Sequence, residues 1–384
     1  MKVAFISHIG WNLYLFRLPL MQALRKRGYD VYAIAPEDEY TKKIRDAGIK
    51  TIEYQLDRNG LNPLNEVKTI HSLYKVLKTE GFDIIHLFNH KPNIYGALAG
   101  KLAGIKYIIN NIAGLGYAYT NNSLKSNILK AVYEVGYRLA FRHSHKIIFY
   151  NTDDIKEFGR YITDKDKITL IKGSGIDTEY YKKDKVPDRV LKKVREELRI
   201  KKEEVVILFV GRFLWSKGLR ELANSAGKIT REKKNVVFVL LGKIDDMNLD
   251  SVDEEFIKNL EGSGVRVVQR EDVREVIAAA DMFCLPSYRE GIPMSVLEAM
   301  SMGKPIIVTD APGCRETVVD SVNGVLVKAK DSKSLTTALE RLIKDRKLRE
   351  KMGEKSREKA VSEFSLNKII KENVRIYEDI KGRV

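Results

Sequence analysis

The strongest constraint on this chain is a rhythm. Short apolar, β-rich runs alternate with stretches of helical period, and they do so in two series. The first series is "KVAFIS", "DVYAIAP", "KTIEYQ", "DIIHLF", "KYIIN" and "KIIFY", separated by helix-period segments such as Tyr14 to Arg27, Leu64 to Lys78 and Leu124 to Phe141. The second is "EVVILFVGR", "NVVFVLLGK", "VRVVQ", "MFCLP", "KPIIVTD" and "GVLVK", again with helical spacers. Strands that alternate with helices pair in parallel and are covered on both faces. The pattern predicts two doubly wound α/β domains facing a cleft, over residues 1–180 and 181–365. Tyr181 to Glu204 is charged, carries Pro187 and bridges the series. The last helical stretch, from Leu366, has no strand after it and is assigned to the first domain.

A chain of 384 residues is too long for one ordinary core, which agrees with two domains. Its two cysteines are too few for a disulfide framework or a zinc site, so a reducing cytoplasm is expected. No apolar run reaches the length of a membrane span, and the N-terminus lacks a cleavage site. The net charge of +16 suits an anionic partner or simple solubility. No nucleic-acid-binding motif accompanies it, so no nucleic acid is expected as a partner.

In open parallel sheets, ligands bind beyond the carboxyl ends of the strands. Two loops there carry chemistry. "GRFLWSKG", Gly211 to Gly218, follows a strand and opens a helix. Its Arg212 and Lys217 place two cations at a helix N-terminus, a combination that suits a diphosphate. Alone, it equally describes a surface loop. "REGIPMSVLEAM" holds Glu290 and Glu298 eight positions apart, with Gly291, Ile292 and Pro293 between them. Pro293 is expected in the first turn of a helix, where its missing N–H costs nothing. The carboxylates then bracket a ligand of nucleotide-sugar length and accept hydroxyl hydrogen bonds. A lone pair at this spacing more often marks an ordinary helix start.

Together, the "GR-x4-KG" loop and "AADMFCLPSYREGIPMSVLEAMSMGKPIIVTD", continued by "GCRETV" and "NGVLV", resemble retaining glycosyltransferase family 4 and its two-Rossmann GT-B fold. The resemblance implies that Arg212 and Lys217 hold the diphosphate of a UDP-sugar, Glu290 its sugar and Glu298 its ribose. Gly291 and Ile292 touch sugar and phosphate through their backbone, and the loop near Arg270 receives the base. It also implies that no metal is needed, the cations doing that work.

In the N-terminal half, "SHIGWNLYLFRLPLMQAL", "FNHKPNIYGALAGKLAGI" and "NIAGLGYAY" are similar to the members acting on polyprenyl-diphosphate sugars. Among these are the transferases of bacterial N-linked protein glycosylation, which add N-acetylgalactosamine, α1,3-linked, to undecaprenyl-diphosphate-linked diacetylbacillosamine. By that resemblance Gly10 lies near the diphosphate and His90 contacts the donor sugar. Gly114 and Gly116 shape the acceptor site or simply make turns. A different UDP-sugar or polyprenyl acceptor is the alternative. A UDP-sugar epimerase and a non-enzymatic polyanion binder are more distant ones.

From Lys91 to Lys146 there are eight Lys or Arg, among them Lys125, Lys130, Arg138 and Arg142, against one acid, Glu134. Leu124 to Lys146 mixes them with apolar residues, as a helix lying on an anionic membrane does. A core-packed helix with a solvated basic edge reads the same way. The expected location is the inner face of the cytoplasmic membrane. Asp164-Lys165-Asp166 has the letters of a metal-binding D-x-D but sits in a charged loop, and is taken as surface.

Overall fold

In a computed structural model the chain packs as two compact units, Met1–Ser174 with Asn367–Val384, and Gly175–Leu366. The structure describes all residues except 57–61, 116–118, 120–123, 246, 247, 249, 271 and 384, and the side chains of 124 and 125. The division at Gly175 precedes the charged stretch in which the sequence suggested it.

The first unit contains β1 (Lys2–Ile6), β2 (Asp30–Ile34), β3 (Lys50–Ile52), β4 (Ile84–Phe88), β5 (Tyr107–Ile112), β6 (Lys146–Phe149) and β7 (Ile168–Leu170). Their order is β3-β2-β1-β4-β5-β6-β7, parallel throughout. Every residue of β4 and of β5 is buried, as expected for strands covered on both faces. The edge strand β7 is an addition to the six expected runs. It has three residues and follows a charged turn, so no apolar run announces it. The C-terminal helix Leu366–Lys381 packs into this unit. Its Tyr377 is fully buried, hydrogen-bonds to His86 Nδ1 of β4 at 2.7 Å and stacks on Phe5 of β1.

The second unit contains β8 (Val205–Val210), β9 (Val236–Leu241), β10 (Arg266–Val268), β11 (Met282–Leu285), β12 (Ile306–Thr309) and β13 (Gly324–Val327). Their order is β10-β9-β8-β11-β12-β13, again all parallel. In both sheets the order reverses beside the first strand. The carboxyl ends at that reversal, β1 and β4 in one unit and β8 and β11 in the other, are where such sheets bind ligands.

Candidate functional site

The two loops singled out in the sequence meet at the ends of β8 and β11, which pair side by side. After β8 the chain passes Arg212, makes a tight turn at Trp215–Lys217 and enters the helix Leu219–Glu232 through Gly218. Gly218 has φ of 73°, and a Cβ on it would collide with the Pro286 carbonyl. Only glycine lets this turn lie directly on the end of β11. Two bonds then stitch the loops together. Tyr288 N–H donates to the Ser216 carbonyl at 2.8 Å, and Ser287 Oγ donates to the same oxygen at 3.2 Å.

That contact brings Lys217 against Glu290. Lys217 Nζ forms an ion pair with Glu290 Oε1, and both side chains are mostly shielded from water. Arg212 is more open, with 55% of its side chain exposed, and its Nη1 is held 2.7 Å from Asp245 Oδ2. Two cations therefore stand at one strand end, each oriented by a carboxylate. Such a pair of cations can form charge-assisted bonds with an anionic ligand. Asp245 was not among the sequence candidates.

The loop that carries Glu290 is fixed from below. Glu290 N–H donates to the Pro312 carbonyl at 2.9 Å. Gly313, with φ of 75°, lies so close that a Cβ would strike the carbonyls of Glu290 and Gly291. Gly291 and Ile292 are buried in this turn. Pro293 is the cap of the helix Met294–Ser301 and not a member of its first turn. Its φ of −74° is one proline imposes, and its carbonyl accepts Val296 N–H at 3.1 Å.

Glu298 lies in the fifth position of that helix and does not touch Glu290. Its Oε1 accepts the Tyr181 hydroxyl at 3.1 Å. Burial raises its pKa to about 7 from 4.5, with Asp272 pushing the same way and the Tyr181 bond opposing. A carboxyl shifted this far from its ordinary range beside a strand-end loop marks a candidate functional group. Tyr181 is itself anchored. Its carbonyl accepts Ser301 Oγ at 2.7 Å and Arg357 Nη1 at 3.0 Å. The sequence did not single it out, being 117 residues from its partner. Arg270, expected beside the base, is engaged by two acids, Glu197 and Glu275.

In the first unit, Gly10 is the first residue of the helix Gly10–Arg25 and does not lie in a loop, as the sequence suggested. Its N–H donates to Asp38 Oδ2 at 2.8 Å, and a Cβ would run into that carboxylate. Asp38 also accepts Tyr40 and Thr41 N–H, so one carboxylate caps two helices. Close approach of Asp38 therefore accounts for the glycine. His90 Nδ1 bonds the Tyr137 hydroxyl at 2.8 Å, and its ring stacks on Tyr133 at 4.7 Å. Burial, reinforced by nearby His8, lowers its pKa to about 4, opposed by a backbone hydrogen bond to Leu115. At neutral pH the ring is uncharged, able to exchange hydrogen bonds but not to act as a cation. Gly114 follows β5 with φ of 119°, a backbone conformation for glycine. Gly116 lies outside the described residues. Among those residues no three His, Cys, Asp or Glu side chains gather as a metal-ligand set, and Asp164 caps a turn by accepting Asp166 N–H.

The family profile described as "Glycosyl transferases group 1" matches residues 191–359, and "Glycosyl transferase 4-like" matches residues 2–151. The chain is 34% identical over 380 residues to the N,N'-diacetylbacillosaminyl-diphospho-undecaprenol α-1,3-N-acetylgalactosaminyltransferase of Campylobacter jejuni, spanning 99% of both chains. The chain belongs to this family of glycosyltransferases. It is also 27% identical over 365 residues to an Escherichia coli enzyme, UDP-Gal:α-D-GlcNAc-diphosphoundecaprenol α-1,3-galactosyltransferase, covering 94% of this chain and 91% of that one. The Anabaena protein HepE, solved in complex with UDP, superposes with a TM-score of 0.80 at 19% identity, over 99% of this chain and all of that one. The fold is thus the two-Rossmann GT-B class.

One surface of this glycosyltransferase stands apart. The helix Leu124–His143 buries Tyr137, Ala140 and Phe141. It exposes Ile128, Val132, Val135 and Leu139, by 59, 56, 59 and 40%. Their spacing of four, three and four puts them on one helical stripe. Neighbouring basic residues are not equivalent. Lys130 is neutralised by Glu134 and Glu157, and Arg138 lies over the Tyr161 ring. Arg142 is exposed with no ion pair among the described residues, and the Lys125 side chain is not described. No described helix is long and apolar enough to cross a membrane.

Proposed function

We propose that this glycosyltransferase moves N-acetylgalactosamine from a UDP-sugar, with retention, to undecaprenyl-diphosphate-linked diacetylbacillosamine as an α1,3 linkage. The observation that carries the donor half is the Lys217–Glu290 contact at adjoining strand ends, flanked by Arg212 and Glu298. Sugar and acceptor rest on the likeness to the Campylobacter enzyme. As the sugar–phosphate bond breaks, the acceptor hydroxyl attacks from the same face and the departing diphosphate takes its proton. Negative charge grows on that diphosphate. Arg212, Lys217 and the helix N-terminus beyond Gly218 stabilise it more in the transition state than before it. A donor panel against undecaprenyl-diphosphate acceptors, with the linkage read by NMR, tests this reading. Transfer of another sugar, or to another lipid-linked sugar, gives the alternative, while no UDP release on adding any lipid-linked sugar discards both.

Because two cations neutralise the diphosphate, the proposal includes no metal. Activity is expected to survive EDTA unchanged. A loss restored by magnesium or manganese contradicts it.

The exposed stripe supports peripheral attachment to an anionic membrane, where a polyprenyl acceptor resides. Ile128→Ser/Val135→Ser is expected to weaken binding to anionic vesicles. The quadruple change of Lys125, Lys130, Arg138 and Arg142 to Gln is expected to weaken it further, by roughly 1 kcal/mol per charge that is free to act. That second loss is greatest at low salt, and Lys130 contributes least to it. Co-sedimentation measures both, and parent-like binding by both variants removes this face from the docking surface.

A further inference from the structure

The first unit has a second concentration of charge at the opposite end of its sheet. A cavity of about 660 Å³ opens at the amino ends of β5, β6 and β7. Lys106 precedes β5, Lys146 begins β6 and Lys167 precedes β7. Lys101, Arg142 and Arg383 complete a lining of six cations, against the two carboxylates Asp164 and Asp166. His90 follows the carboxyl end of β4 and Gly114 that of β5, so this cavity lies at the opposite end of the parallel sheet from both.

Most of these cations have no acid to answer them. Among the described residues, Lys101, Lys106, Arg142, Lys167 and Arg383 form no ion pair. Lys146 is spent on the Asp166 carbonyl at 2.7 Å. The histidines of the wall report the resulting field. Burial first, then Lys101, Arg142 and Lys167, lowers the pKa of His143. Burial first, then Lys167, Arg383 and Lys101, lowers that of His145. The Nδ1 of His145 accepts Ile108 N–H at 3.3 Å, so its neutral form carries its proton on Nε2 as a further donor. Like charges held this close repel one another, and an anion among them removes that repulsion while accepting several charge-assisted bonds. The volume suits a small ligand rather than a single ion.

We propose that this cavity is a second anion site that takes a phosphate-class ligand with two or more negative charges. It is separate from the donor site and stands whether or not the proposed sugar and acceptor are right. The shared chemistry has two sources, a soluble diphosphate or an anionic lipid headgroup. Their test compares the parent, a Lys101→Gln/Lys167→Gln/Arg383→Gln variant, and a control with the same charge change at exposed Lys192, Lys228 and Lys347. Both the pyrophosphate and the vesicle measurements are made with UDP saturating the donor site. Calorimetric titration with inorganic pyrophosphate is expected to show binding to parent and control, weakened about tenfold or more in the triple variant, since each 1.4 kcal/mol is a factor of ten. That outcome assigns a soluble ligand. If pyrophosphate does not bind, but the triple variant alone is released from phosphatidylcholine vesicles containing phosphatidylglycerol, the ligand is a headgroup. UDP affinity should be the same in all three proteins, which shows that the fold is intact. Binding of neither probe by the parent, or equal losses in variant and control, overturns the proposal.

Discussion

Lys217→Ala is expected to slow sugar transfer by about 2–4 kcal/mol in barrier, on the order of thirty- to a thousandfold. Lys217 is the better shielded of the two cations and its charge acts in a less watery setting, so its loss is the larger. Arg212→Ala moves turnover the same way by less, because its guanidinium is open to solvent and shared with Asp245. The effect belongs chiefly in kcat, since the charge it meets is fully developed only as the diphosphate departs. Glu290 is left without its partner in Lys217→Ala, so circular dichroism must accompany the kinetics. A folded variant of either residue with near-parent turnover places the diphosphate elsewhere.

Glu298→Ala is expected to abolish most UDP affinity, while Glu290→Ala spares UDP binding and damages transfer. Equal losses in calorimetry contradict this division. Glu298 also predicts a pH dependence. A ligand hydroxyl needs the carboxylate form, and the pKa in the folded protein is about 7, so UDP affinity rises as pH increases through 7. Stability runs the other way. The unfolded carboxyl ionises near 4.5, so the folded state binds the extra proton between about 4.5 and 7 and loses stability across that window as pH rises. Glu298→Gln keeps an acceptor for Tyr181 and does not titrate. Relative to the parent it gains stability at pH 8 over pH 4, by up to about 3 kcal/mol at 1.4 kcal/mol per pKa unit. Thermal unfolding of parent and variant at the two pH values measures it, and an unchanged difference returns Glu298 to an ordinary surface acid.

The apolar runs of the sequence locate twelve of the thirteen strands among the described residues, most plainly where a strand is buried on both faces and must be apolar along its whole length. β7 escapes because its three residues follow directly on the charged turn Lys165–Lys167 and end in exposed Leu170. The donor loops are legible because phosphate and hydroxyl recognition uses a local order of Gly, Lys and Glu. Their supports are not. Asp245 meets Arg212 across 33 residues, and Tyr181 meets Glu298 across 117. Neither pairing follows a local period, since only the folded sheet brings them together. At Gly10 the sequence could not show the chain's own Asp38, whose carboxylate accepts the glycine N–H across 28 residues. Lys130 reads as free charge until Glu157 of another helix is seen beside it.

The return of the chain to its first unit sets the timing of synthesis. β1 to β7 leave the ribosome first, yet Tyr377, which stacks on Phe5 and bonds His86, comes from the last helix. Tyr29 waits too, its hydroxyl donating to the Tyr377 carbonyl at 3.1 Å. The whole of Gly175–Leu366 must be made in between, which at bacterial elongation rates takes on the order of ten to forty seconds. For that interval the nascent first unit holds an open apolar seam. A chain cut short after Leu366 keeps every residue of the donor loops and never closes it.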